Sequence, residues 1–267
     1  MKTHIRRFMV PVLAAGLLQA QVRAPQAGVV RYTDGSVRAI YGVPGSFVVG
    51  PVWSTGATAI SFSDHAGLIA EPGAIRLLSA GGMSLATYAT HEPAPVLGVE
   101  GSAQTAIAWL PKQEAIIRWN GSSFEVFTLA QGVIAGSVLS LRTLAKNAAE
   151  LLVAQNGVAA RITISLAPES TILSVDAVPG ATGSAVSFGS LLLFCDKGGL
   201  TLESSNGLRH FLALPADVVA ERMSAHWLHL QSRGTRQDWA LGLDAAHPDL
   251  LLLPGAPATA SMAETVR

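Results

Sequence analysis

A single cysteine, Cys195, in 267 residues leaves no intrachain disulfide to form. Its apolar neighbours Leu193 and Phe194 read as the surroundings of a buried thiol. Charge is scarce as well: Asp, Glu, Lys and Arg make up 13% of the chain, against about a quarter in an ordinary globular protein. With apolar residues at 49%, that scarcity argues against a disordered or solvating role. Three of the 18 bases and none of the 18 acids fall in the first 20 residues, so the remainder carries three more acids than bases. No Lys/Arg cluster offers a hold on phosphate backbones, which excludes nucleic acid as the expected partner. Long apolar runs are missing too. Phe8 to Leu18 (FMVPVLAAGLL) is 11 residues long, where a membrane span needs about 20. The chain also lacks G-x-S-x-G, G-x-G-x-x-G, a Walker loop and a D-x-[DN]-x-[DN]-G calcium loop.

What the first residues do contain is the pattern of an export signal. Lys2, Arg6 and Arg7 precede the short apolar stretch, and Ala20 is a small residue at the expected cleavage point, with Gln21 as the new N-terminus. Ala24 offers a second site, though Pro25 follows it. The reading is a signal peptide over 1–20, one domain over 21–255, and a loosely held tail over 256–267, rich in Ala, Thr and Pro. The address implied is periplasmic or extracellular, with no transmembrane span in the mature chain.

Turn signals recur along the rest: Asp34-Gly35, Gly81-Gly82, Asn120-Gly121, Asn156-Gly157 and Asn206-Gly207. Each is flanked by short apolar or β-branched runs, as in IIRW-NG-SSFEVFTL (116–129) and LLVAQ-NG-VAARITISL (151–166). Asn-Gly and Asp-Gly accept positive φ, which predicts type I′ hairpins and antiparallel pairing. A strand–turn–strand phrase also recurs, at TAISF to GLIA (58–70), 105–119, 137–154, 190–202 and 226–243. A further apolar stretch is read as the opening strand of each unit: FVVGPV (47–52), VLGV (96–99), VIAG (133–136), ILSV (172–175) and DVVA (217–220). Helix is nearly absent. The best candidate is Asp217 to Met223, with a strand as the competing reading, and 144–150 is a weaker one.

Units of roughly 35–50 residues with about four short strands each resemble the repeats of β-propellers of exported bacterial proteins, over residues 29–253. The resemblance implies an all-β fold with five or six four-stranded blades. The N-terminal hairpin, 29–42, would close the ring by pairing with the last blade, since an open sheet edge invites aggregation. A β-sandwich or jelly roll is the rival architecture. The WD, kelch and quinoprotein repeat signatures are missing, so no functional residue carries over.

Candidate chemistry is thin. His226 and His229 form H-x-x-H, but HWLHLQ reads as a strand, on which residues three apart face opposite ways. Glu71, Glu92, Glu100, Glu114 and Asp176 are the acids placed near turns or strand ends, and Glu100 with Asp176 makes a cation site if both face the axis. Asp64-His65 occupies a turn whose counterparts, such as Pro111-Lys112 and Asp196-Lys197, share no chemistry. Asn120-Gly121-Ser122 matches a glycosylation acceptor inside a hairpin turn. Trp53, Trp109, Trp119, Trp227 and Trp239 read as core, unless Trp119 and Trp239 meet at one rim. No catalytic, cofactor-binding or metal-ligating residue is assigned, and no cofactor. The expectation is a non-enzymatic binding or protein-interaction scaffold, with a protein partner in the cell envelope or outside the cell. The alternative is a lactonase-like hydrolase or lyase holding a divalent cation in the axial tunnel.

Overall fold

The structure, a computed structural model, describes residues 24–256 apart from 146, 168, 179–184, 190, 197–198, 216 and 245–246. The signal-like segment 1–20, its cleavage site, the Cys195 side chain and nearly all of the 256–267 tail lie outside the described residues.

An N-terminal sheet of three strands comes first: β1 (Gln26–Arg31), β2 (Val37–Val43) and β3 (Ser46–Ser54). Five four-stranded meanders follow. The first is β4 (Ala59–Phe62), β5 (Ala66–Glu71), β6 (Ala74–Ser79) and β7 (Ser84–Ala89). The second is β8 (Val96–Gly98), β9 (Ile107–Leu110), β10 (Ala115–Trp119) and β11 (Phe124–Thr128). The third is β12 (Ser137–Ala145), β13 (Ala148–Gln155), β14 (Val158–Ser165) and β15 (Thr171–Val178). The fourth is β16 (Ala185–Phe188), β17 (Leu191–Asp196), β18 (Gly199–Ser204) and β19 (Arg209–Leu212). The fifth is β20 (Val218–Arg222), β21 (Trp227–Ser232), β22 (Asp238–Gly242) and β23 (Leu250–Leu252). Consecutive strands within each meander pair antiparallel. The fifth and first meanders touch through one parallel pair, Arg222 with Ser61. The fold is all-β, in a β-propeller arrangement.

All five turn signals sit in hairpins, but they reach the turn in different ways. At Asn156-Gly157 both residues have positive φ, 52° and 78°, the type I′ geometry. At the other sites only the second residue of the pair turns left-handed: Gly35, Gly82, Gly121 and Gly207. There Asp34, Asn120 and Asn206 act through their side chains instead, accepting the amides of Ser36, Ser122 and Leu208 at 2.8, 2.9 and 3.1 Å. The Asx side chain stabilises the turn from outside, so its backbone need not enter the strained region.

The recurring phrase is a mixture. Copies at 58–70 and 137–154 are the β4–β5 and β12–β13 hairpins, the first two strands of their meanders. Copies at 105–119, 190–202 and 226–243 are β9–β10, β17–β18 and β21–β22, the second and third strands. Of the supposed opening strands, VLGV and DVVA overlap β8 and β20. FVVGPV is part of β3, ILSV of β15, and VIAG is loop. Both helical candidates, 217–223 and 144–150, are mostly strand, paired into the fifth and third meanders.

That two-sided burial explains the blurred alternation. Along β10, Ile116 joins Trp109, Leu141, Leu151 and Ile164 in the core shared with the third meander. Its neighbour Ile117 joins Leu68, Ile75, Leu77 and Ala108 in the core shared with the first. Further clusters lie between the third and fourth meanders (Leu152, Phe194) and between the fourth and fifth (Leu193, Leu228). The N-terminal sheet is packed on both faces as well. Val29 and Val37 meet Ile60, Phe62 and Ile69 of the first meander. Val30, Tyr32 and Ile40 meet Met223, Ala240 and Leu253 from the chain's other end. Val29 N–H donates to Met223 O at 2.9 Å, and the Tyr32 hydroxyl to Pro254 O at 3.0 Å.

Leu151→Ala, at a position fully shielded from solvent, should cost about 2–5 kcal/mol in urea unfolding. Val158→Ala, at a side chain 54% exposed, should stay within about 0.5 kcal/mol.

Candidate functional site

The first strands of the five meanders, β4, β8, β12, β16 and β20, all line one cavity, the channel, of about 380 Å³. Four of them carry a small residue between apolar ones: Ser61, Gly98, Ser140 and Ser187. Close approach requires it. A Cβ on Gly98 would lie 2.2 Å from Leu141 O. Ser61 Oγ accepts Val99 N–H and Ser140 Oγ accepts Ser187 N–H, both at 3.1 Å, so each hydroxyl satisfies an amide of the next meander. The repeated tripeptides ISF (60–62), LGV (97–99), LSL (139–141) and VSF (186–188) carry this signal in the sequence, and a reading built on hairpin turns misses it.

The fifth inner strand differs, bringing Glu221 and Arg222. Arg31, at the end of β1, sets Nε and Nη2 at 3.0 and 2.9 Å from Glu221 Oε1. Arg222 reaches the other way, to Glu100 Oε1 at 3.2 Å, with its guanidinium carbon 4.6 Å from the Phe188 ring centre. Arg142 on β12 forks onto Glu150 at 2.8 and 3.0 Å and donates to Gly189 O at 2.5 Å. Glu150, its side chain 6% exposed, also lies 3.7 Å from Arg161. Burial lowers the Arg222 pKa from the usual guanidinium value, with the Glu100 charge opposing. Burial acts against the Arg142 charge too, but the hydrogen bond and charge of Glu150 outweigh it and raise the pKa. Arg31–Glu221 and Arg222–Glu100 tie one sheet to another beside the cavity, whereas the Glu150 pairs lie within the third meander and reach the fourth through the Arg142 bond to Gly189 O.

The acids singled out from the sequence are dispersed. Glu100 lines the channel, whereas Asp176 is exposed on β15, the outer strand of its meander, opposite Arg161; the pair does not meet. Glu92 is buried and accepts the amides of Lys112 and Gln113 at 3.0 and 3.2 Å, fixing the β9–β10 turn. Glu114 accepts Gly132 N–H at 2.7 Å, and Glu71 pairs with Arg76 at 3.5 Å. His229 is buried, Nε2 2.8 Å from Asp238 Oδ1, while His226 is exposed beside Asp64 at 3.4 Å. The two histidines therefore do not converge. Asp64 also accepts Ala225 N–H at 3.0 Å, a link between turns. Among the described residues no three His, Cys, Asp or Glu side chains are grouped to hold a metal. Trp239 is buried in the core between the fourth and fifth meanders and Trp119 lies at the end of β10, so the two make no common rim.

No local pattern in the sequence announces a second buried polar group. Asp238 Oδ1 also accepts Gln231 Nε2 at 2.8 Å, and Gln231 reaches Arg31 O at 3.4 Å across the seam with the N-terminal sheet. Burial first, then the Asp238 charge, pushes the nearby Tyr32 phenol well above its ordinary range.

No protein-family model matches this chain, and no curated protein does. Among solved structures it is similar to a candidate 6-phosphogluconolactonase of Bacteroides fragilis, with TM-score 0.45 and 12% identity over 84% of this chain and 82% of that one. PorZ, an essential surface component of the type-IX secretion system of Porphyromonas gingivalis, gives TM-score 0.46 and 12% identity over 85% of this chain. Only 31% of PorZ is covered. BamB from Moraxella catarrhalis gives TM-score 0.40 and 13% identity over 88% of this chain and 87% of BamB. These neighbours are propeller proteins, and the likeness is one of fold.

Removing Arg142 takes the two short hydrogen bonds from a buried carboxylate and leaves it only the more distant Arg161. Arg142→Met should cost about 3–5 kcal/mol in urea unfolding, whereas Arg76→Met, at a more exposed pair, should cost at most about 1. Asp217 anchors the β21–β22 turn: Gly234 N–H, then Ser232 Oγ, hold its carboxyl below the usual range. A carboxylate lowered on folding stabilises above its unfolded pKa and loses that contribution as pH falls through the folded one. The Asp217 carbon shift in an NMR titration should therefore turn below pH ~4, and Ser232→Ala should move it back up.

Proposed function

We propose that this protein is an exported, non-enzymatic β-propeller that serves as a binding scaffold, with a protein partner in the cell envelope or outside the cell. Its ring has six positions: five full meanders and the N-terminal sheet, which closes the circle between the fifth and the first. Six apolar clusters, one for each successive pair of sheets, support that count. In β1, Arg31 lies near Glu221 while Val29 bonds Met223, so β1 runs antiparallel to β20. It thus corresponds to a second strand, and the N-terminal sheet lacks an innermost one. The parallel Arg222–Ser61 pair bridges the gap at the centre.

The observation that carries the scaffold reading is the state of the channel acids. Glu100 and Glu221 are each taken by an arginine from another sheet. Their charge is spent on holding the ring together, so recognition falls to the turns and outer strands, where loops on a rigid frame serve binding. The lactonase-like alternative keeps one point of support, the placement of Glu100 within the channel.

Elemental analysis and a thermal melt with and without chelator separate the two. The scaffold reading expects no stoichiometric divalent ion and an unchanged midpoint. A bound ion whose removal lowers the midpoint would overturn it in favour of the hydrolase. For export, the protein recovered from the periplasm or medium should begin at Gln21 by intact mass, and retention of residues 1–20 would refute that part.

A further inference from the structure

Three Asn-Gly pairs occupy hairpin turns, and they are chemically alike but structurally unequal. The Asn120 carboxamide is fully engaged: Oδ1 accepts from Ser122 N, Ser122 Oγ and Ser123 N at 2.9, 3.0 and 2.9 Å, and Nδ2 donates to Glu125 at 3.0 Å. Asn206 Oδ1 accepts from Ser204 Oγ and from Leu208 N–H, and the Gly207 amide is itself held by Ser204 O at 2.9 Å. Asn156 is different. Among the described residues no hydrogen bond engages its side chain or the Gly157 amide. All three pairs are exposed, with open space for 4 Å beside each glycine, so the free carboxamide is what sets Asn156 apart. Asn156 also stands at φ 52°, a left-handed conformation that Asn120 and Asn206 do not share.

We propose that Asn156 is a site of spontaneous covalent modification, converting to aspartate and isoaspartate through a succinimide. The Gly157 amide nitrogen attacks Asn156 Cγ and loses its proton, and the new N–C bond closes a five-membered ring. The C–Nδ2 bond breaks and nitrogen leaves as ammonia. Water then opens either ring carbonyl. One opening leaves an ordinary aspartate in place of the asparagine. The other transfers the chain to the side-chain carboxyl and inserts a methylene into the backbone. The ring needs a free carboxamide and a free amide nitrogen next to a residue without a side chain. Asn156-Gly157 supplies all three, whereas the other two turns must first break bonds. The product carries a new negative charge at the β13–β14 turn, and the isoaspartyl form no longer fits a two-residue I′ loop.

The test is incubation of the folded protein at mildly alkaline pH, with peptide mapping by mass spectrometry and isoaspartyl-methyltransferase labelling over time. The Asn156 peptide should convert roughly 5- to 30-fold faster than those of Asn120 and Asn206, the factor that one or two net hydrogen bonds represent. In concentrated urea the three should convert at comparable rates, because the local chemistry is then the same. Equal rates in the folded protein would overturn the proposal, and so would a ranking that survives in urea.

Discussion

Apolar burial between consecutive sheets, face against face, is the constraint on which the rest of this structure depends. Each interior sheet has two covered faces, so side chains pointing either way along a strand are mostly apolar, and the buried polar ones, such as Glu150 and His229, are paired. Ile116 and Ile117 are adjacent in sequence yet belong to different cores. A half-solvated sheet would place a polar residue at one of them. The same constraint draws the inner strands close around the axis, where Gly98 and the three serines are the residues that fit.

A chain built this way has little surface to spare for charge, and it uses what it has in pairs. Arg31–Glu221, Arg222–Glu100 and Arg142–Glu150 join separate strands, and the first two link residues far apart in sequence across the axis region. Pairs buried to this degree are poor sources of net stability, since desolvation offsets the attraction. For Arg31–Glu221 and Arg222–Glu100 the effect is on geometry: a sheet that rotated or slipped would leave an uncompensated charge beside the cavity. Polar groups at the axis therefore set the arrangement of the sheets, while hydrocarbon supplies the driving force.

Architecture was legible in the sequence because turn chemistry is local. Asp34-Gly35, Gly81-Gly82 and the three Asn-Gly pairs mark hairpins whatever surrounds them, and each does so here. Strand order within a unit was not legible. The first hairpin of one meander and the second of the next both read as strand–turn–strand, and covered faces erase the alternation that would tell an inner strand from an outer one. ILSV reads as an opening strand and lies in the outermost, β15. The channel charges were hidden for another reason. Glu100 stands out near a strand end, but its partner Arg222 is 122 residues away, and no local pattern announces so remote an ion pair.

Tyr32 and Val30 share a core with Met223 and Leu253, which ties the beginning of the sheet region to its end. During synthesis the intervening meanders emerge long before the partner of that first sheet exists. Its second face stays apolar and uncovered until β20 to β23 are in place. Contacts of such large sequence separation form slowly and expose a chain to misassociation meanwhile. A chain that stops short of β23 would therefore leave apolar surface on its first sheet open to other molecules.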